Sequence, residues 1–181
     1  MKAMGMGLVL CGLIVTATGM PPAAIAQEPD SMQTTDTLGV PNLRRPNDRI
    51  LTGGQPDSEA WGRLAADGVA TVINLRPAAE MSGRDEASEV TAEGMSYLEI
   101  PVSGAADITI ANGAALWRAI HDAPGPVLVH CASGNRVGAL LAIGAANDGG
   151  MDEREALEFG KSAGLSNAEP RVREVLKLPA E

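Results

Sequence analysis

Apolar and polar positions along the chain change their spacing in a repeating order. "ILTGGQP", residues 50–56, reads as a short strand running into a tight glycine turn. In "SEAWGRLAAD", Trp61, Leu64 and Ala65 share one helical face, Asp57 stands at the N-cap position and Gly68 marks the end. "VATVINL", residues 69–75, is a continuous β-branched run of the kind buried on both faces of a sheet. A polar turn through Pro77 and Gly83 then leads into a helix over "RDEASEVTAEG", closed by Gly94, and "MSYLEIPV" supplies the next strand. "TIANGAALWRAIHDA" forms a helix, Pro124-Gly125-Pro126 breaks it, and "VLVH" is a short buried strand. The alanines and glycines of "VGALLAIGAAND" suit a helix whose backbone approaches a sheet closely, and helices around 152–163 and 168–177 follow. Strands alternating with helices need crossover connections, which predicts an α/β domain: a central, mainly parallel sheet of four to five strands flanked by helices.

The amino-terminal segment follows a different pattern. Lys2, an apolar run from about Gly5 to Met20 and the small-x-small sequence Ala24-Ile25-Ala26 read as an export signal over residues 1–26, predicting a periplasmic or secreted protein. Residues 27–48, rich in Pro, Asp, Gln, Thr and Ser, read as a flexible leader or a strap over the domain, which is placed at 49–181. Removing 26 of 181 residues leaves 155, the size of one domain, with 13 basic and 23 acidic residues and a net charge of −10. That charge opposes binding to nucleic acid or to an anionic membrane after cleavage. Two tryptophans, one tyrosine and one phenylalanine provide no base-stacking platform. Cys11 leaves with the signal, so Cys131 is a lone thiol with no partner for an internal disulfide. His121, His130 and Cys131 are too few for a metal cluster, and no metal or other cofactor is expected. His121 itself reads as a solvated residue near a helix end.

The chemistry concentrates in "HCASGNR", residues 130–136, between an apolar strand and a helix. Ligands of open α/β sheets bind beyond the carboxyl ends of strands, where a turn's amides and the following helix dipole favour an anion. A cysteine at the base of such a turn has its thiolate stabilised. Gly134 permits the torsion that a loop wrapped around an anion requires, and Arg136 adds a planar charged fork for two oxygens. His130 should face away from Cys131, because adjacent strand residues alternate, and so supports the loop rather than acting as a base.

These residues resemble the cysteine-phosphatase superfamily, whose loop is His-Cys, five residues, then Arg. More closely, "TGGQP", "TVINLRP" with Glu80 behind it, "IPVSG" and "VLVHCASGNRVGAL", in that order, look like the phosphatase-like domain found beside beta-lactamase-fold hydrolases. The resemblance implies a cysteine-phosphatase-like fold, a Cys131 nucleophile and a phosphocysteine intermediate. It further implies a phosphorylated protein or small phosphoester as substrate. Asp107 in "IPVSGAAD" is then the candidate proton donor, with capping of the helix near Thr109 as its alternative role. Ala132, Ser133, Gly134, Asn135 and Arg136 would bind the anion. Arg76 would join them or brace the loop through Glu80, and Ser133 would assist the thiolate or breakdown of the intermediate. Only four residues separate Cys131 from Arg136, as in rhodanese-type sulfurtransferases, whose cysteine carries a persulfide. The loop thus offers five amides where the longer one offers six, and losing one oxyanion donor costs about 2.7 to 4 kcal/mol. Three readings stand: a cysteine-dependent phosphatase-like hydrolase, a rhodanese-type sulfurtransferase, and a noncatalytic oxyanion or phosphoprotein binder.

Overall fold

The computed structural model describes residues 38–179, so the expected export signal and the leader up to residue 37 lie outside the described residues. In chain order the elements are β1 (Arg44–Asn47), β2 (Ile50–Gly53), α1 (Ala60–Ala66), β3 (Thr71–Asn74), α2 (Glu86–Ala92), β4 (Ser96–Glu99), α3 (Ile110–Asp122), β5 (Val127–His130), α4 (Asn135–Asn147), α5 (Glu153–Ser162) and α6 (Glu169–Leu176). Single 3-10 turns occupy Ala78–Glu80 and Ala105–Asp107.

The predicted mainly parallel sheet is present, with five strands in the order β1-β2-β5-β3-β4. β5 lies between β2 and β3, parallel to both, while β1 runs antiparallel at one edge. Their register sets Gly53, His130, Asn74 and Glu99 side by side at the carboxyl ends. The residue after β5, Cys131, therefore emerges between the two inner neighbours.

Two-residue alternation divides the core. Ile50, Ile73, Val127, Val129 and Cys131 pack with Leu116 of α3, Leu140 of α4, Leu157 of α5 and Val172 of α6. Leu51, Val72 and Leu128 face the other way, against Trp61 and Leu64 of α1 and Val90 of α2. Because β5 is buried on both sides, its VLVH sequence shows no polar alternation.

Three expectations change. Residues 38–48, read as leader, belong to the fold: Val40 is fully buried and β1 pairs with β2. The sequence of β1, Arg-Arg-Pro-Asn, hides this because an edge strand tolerates proline and exposed polar side chains. Asp57 does not cap α1 with its side chain; its carbonyl accepts from Ala60 N (3.0 Å), and Glu59 occupies the cap position. Finally, the small residues of α4 admit other helices rather than the sheet. A Cβ on Gly138 would lie 2.6 Å from Gly160 O, and one on Gly144 would lie 2.8 Å from Gly113 O.

Candidate active site

The turn after β5 is held by its carbonyls. Ala132 O accepts from Gln55 N (3.4 Å), Ser133 O from Asn42 Nδ2 (3.3 Å) and Gly134 O from Gly138 N (3.0 Å). A trans peptide plane directs its N–H opposite to its C=O, so each anchored carbonyl turns the next amide away from the scaffold. The Ser133–Gly134 plane shows the result: its carbonyl meets Asn42 and its N–H donates to Cys131 Sγ at 3.1 Å. Among the described residues, the amides of Ala132, Ser133, Asn135 and Arg136 have no acceptor. The five amides counted from sequence thus become one for sulfur and four for a ligand. Gly134 adopts φ +95°, as the loop reading required, and directly precedes α4. Gly54 allows the end of β2 to approach, since a Cβ there would sit 2.9 Å from Ala132 O. Cys131 is 1 % exposed, at the base of this turn.

Arg136 also turns inward. Nη1 donates to Glu80 Oε1 (2.8 Å) and Val102 O, and Nη2 donates to Glu80 Oε2 (2.7 Å). Three of five N–H groups are thereby used. Nε–H and the remaining Nη2–H form the side edge of the guanidinium, the fork that matches two oxygens of an oxyanion. Glu80 raises the affinity of Arg136 for its proton, burial opposes this, and the Cys131 sulfur adds to the rise. Reciprocally, Arg136 holds Glu80 below the usual carboxylate range, against burial and with help from Arg76. Arg76 Nε reaches Glu80 Oε2 at 3.3 Å and Nη1 reaches Gln55 Oε1 at 2.5 Å. Arg76 and Glu80 are therefore brought to the loop's arginine as one braced unit.

Other predicted residues fall into distinct positions. His130 points to the α1–α2 side, its ring 6.3 Å from that of Trp61 and its Nε2 2.8 Å from Glu86 Oε1. It lies on the opposite face from Cys131, which excludes direct proton transfer between their side chains. The Asn135 side-chain oxygen is engaged by the scaffold: Oδ1 accepts from Ser166 N (2.8 Å) and Ala168 N (3.2 Å), while its backbone N–H is left for an anion. Ser133 is exposed, and its hydroxyl makes no hydrogen bond among the described residues. Asp107 Oδ2 accepts from Ser103 N (2.7 Å), and Thr109 caps α3 through Asn112 N, so the capping alternative for Asp107 fails. Arg136, through Val102 O, ties down the start of the segment that carries Asp107. His121 is solvated, with its side chain 85 % exposed, and no group of three or more potential metal ligands occurs among the described residues.

Sequence reasoning missed Glu86, Gln55 and Asn74. Glu86 is 2 % exposed, and its Oε2 accepts from Gln55 Nε2. Burial works to raise its proton affinity, but His130, Gln55 and Arg84 outweigh that effect and hold it below the usual carboxylate range. Asn74, fully buried, accepts from Arg76 N (2.7 Å) and donates to Tyr97 Oη (2.9 Å). Gln55 was visible in "TGGQP", yet nothing local marked its amide as the link between Glu86 and Arg76.

The chain is similar to known proteins in sequence and in fold. The family model for the beta-lactamase hydrolase-like protein, phosphatase-like domain, matches residues 43–148. A beta-lactamase hydrolase-like protein of Agrobacterium fabrum is 38% identical over 125 residues, covering 67% of this chain and 29% of the relative. One from Xylella fastidiosa is 38% identical over 128 residues, covering 67% and 30%. The chain thus spans less than a third of the length of these curated relatives. Among solved structures, a putative phosphatase of Neisseria meningitidis superposes with TM-score 0.62 at 24% identity, covering 73% of this chain and 96% of that one. TpbA of P. aeruginosa, solved with pTyr, gives 0.60 at 21%, covering 75% and 83%. These two likenesses establish the fold alone. The short loop of this chain lies within residues 43–148, the span that the phosphatase-like family model matches. Combining the sheet order, the turn after β5 and the match over residues 43–148, the chain belongs to the phosphatase-like domain family of the beta-lactamase hydrolase-like proteins.

Proposed function

We propose that this domain is a cysteine-dependent phosphatase that cleaves phosphoesters, the substrate being a phosphorylated protein or a small phosphoester. The observation that carries this reading is the polarity of the loop. Its carbonyls are bound by the scaffold, while four amides and the side edge of Arg136 remain for an oxyanion above Cys131. In the proposed reaction, the Cys131 thiolate attacks phosphorus in line as the P–O bond to the leaving group breaks. The loop amides and Arg136 stabilise charge on the equatorial oxygens. Asp107 supplies a proton to the departing alkoxide or phenoxide. Water then attacks phosphocysteine, releasing phosphate and regenerating the thiolate; the water proton passes to Asp107 or to phosphate.

Hydrolysis of para-nitrophenyl phosphate and phenyl phosphate tests these roles. Cys131→Ser should abolish phosphate release from both, and persistent release would overturn the covalent route. Asp107→Asn should lower kcat on phenyl phosphate by about 10²-fold or more, with less loss on para-nitrophenyl phosphate, whose leaving group departs without a proton. Equal losses on both would remove Asp107 as donor. A one-sulfur mass gain on Cys131 after thiosulfate, without phosphatase activity, would favour sulfur transfer instead.

A further inference from the structure

Glu86 lies behind the sheet, where it cannot touch a substrate above Cys131. Its two oxygens nevertheless contact the two residues nearest the start of the loop. Oε1 lies 2.8 Å from His130 Nε2, immediately before the cysteine, and Oε2 accepts from Gln55 Nε2. Gln55 pins Ala132 O with its backbone and Arg76 with its side-chain oxygen. We propose that Glu86 is a positioning residue for the cysteine loop, fixing the His130 ring and the Gln55 amide from the opposite face of the sheet. This role rests on the phosphatase reading of the same site.

His130 is fully buried, and its Nδ1 has no partner among the described residues, so its Nε2 contact is the sole hydrogen bond that orients the ring. Trp61 of α1 stands beside the ring without binding it, and Arg84 acts on Glu86 only through charge. A carboxylate accepts from both neighbours, which requires hydrogen on His130 Nε2 and directs the NH2 of Gln55 toward Glu86. The Gln55 oxygen is then free to receive Arg76, as observed. A glutamine at position 86 has one acceptor and one NH2 donor. To bind both neighbours it must reverse one of them: either the His130 hydrogen moves to the orphaned Nδ1, or the Gln55 amide flips and presents NH2 to Arg76. Both outcomes disturb the entrance to the loop.

The test compares wild type with Glu86→Gln and Val90→Ala, the latter a stability control on the buried side of α2. The chain contains two histidines, and His121 is exposed, so imidazole nitrogen spectra separate them readily. In wild type, His130 Nε2 should carry hydrogen; in Glu86→Gln, the spectrum should show transfer to Nδ1, or the Gln55 amide resonances should shift. On para-nitrophenyl phosphate, kcat should fall about tenfold, equivalent to about 1.4 kcal/mol, with KM changed less than about twofold. Iodoacetamide should also alkylate Cys131 more slowly at fixed pH. An unprotonated Nε2 in wild type would overturn the proposal. So would equal kcat loss in Val90→Ala variants matched for melting temperature. If Glu86→Gln does not fold, Gln55→Leu serves: kcat should fall with the histidine spectrum preserved, and unchanged kcat overturns the linkage. Should wild type release no phosphate, the phosphatase reading fails, while the nitrogen spectra and alkylation rates still decide whether Glu86 positions the loop.

Discussion

Replacing Glu80 by glutamine tests whether the arginine of the loop is held by charge. Glu80 accepts two short bonds from Arg136, at 2.8 and 2.7 Å, and a longer one from Arg76 at 3.3 Å. Buried charge-assisted bonds contribute about 1.5–3 kcal/mol each, and exposed pairs about 0–1 kcal/mol. With Glu80 32% exposed and Arg136 14%, an intermediate figure of about 1 kcal/mol per short bond applies. Glu80→Gln keeps the shape but leaves one acceptor and turns an NH2 toward a guanidinium. The expected loss is about 2 kcal/mol at pH 7, or about 6 °C in Tm at roughly 3 °C per kcal/mol for a domain of this size. Acid provides the sign. Because the folded-state value of Glu80 lies below its ordinary 4.5, its stabilisation is complete above the unfolded value and disappears as pH falls through the folded value. Urea midpoints for both proteins should therefore differ at neutral pH and converge below that range. A difference under about 0.5 kcal/mol at pH 7, or one that persists undiminished in acid, would refute the ionic brace.

Two glycines make separable predictions. Gly134→Ala has room, since the nearest Gly53 backbone atom is 3.6 Å from the new Cβ; its cost should be conformational, about 1–2 kcal/mol for φ +95°. Phosphate protection of Cys131 against alkylation should weaken in parallel, whereas unchanged stability and protection would contradict the strained-turn reading. Gly138→Ala has no room, because its Cβ would lie 2.1 Å from Leu165 N and 2.6 Å from Gly160 O. The α4–α5 contact must open, costing about 2–3 kcal/mol by urea titration, and a loss under about 0.5 kcal/mol would reject that close approach.

The sequence was most informative where burial or local geometry imposed a pattern. β3 and β5 are buried at every position, so their apolar runs were legible, as was the turn between β5 and α4. Cys131, Gly134, Arg136, Arg76 and Glu80 followed from that turn and from the family resemblance. β1 escaped because pairing with β2, rather than apolar periodicity, defines it. Glu86 escaped for another reason: an acid in the first turn of a helix ordinarily complements the helix dipole. Its actual partners, His130 and Gln55, are 44 and 31 positions away, and the three meet only in the folded sheet. The role of the Asn135 side chain was likewise not legible, because the amides it receives belong to the connection between α5 and α6.

The shortened loop changes the balance between donor number and donor rigidity. Four amides for the ligand are fewer than the five read from sequence, because Gly134 N–H is directed at Cys131 Sγ. Each missing oxyanion donor raises the barrier by about 2.7–4 kcal/mol if nothing replaces it. What this chain retains is orientation: scaffold bonds to Ala132, Ser133 and Gly134 carbonyls fix the amides before an anion arrives. Orientation reduces reorganisation, but it does not supply the absent charge. Rigidity should therefore appear chiefly as ready binding of phosphate, while the shortage of donors should appear in kcat. That separation explains why Arg136 must be held in place from behind. In the proposed reaction, with fewer amides to share three equatorial oxygens, its side edge should carry a larger fraction of transition-state charge than it would in a longer loop, while Glu80 holds the opposite edge of the guanidinium.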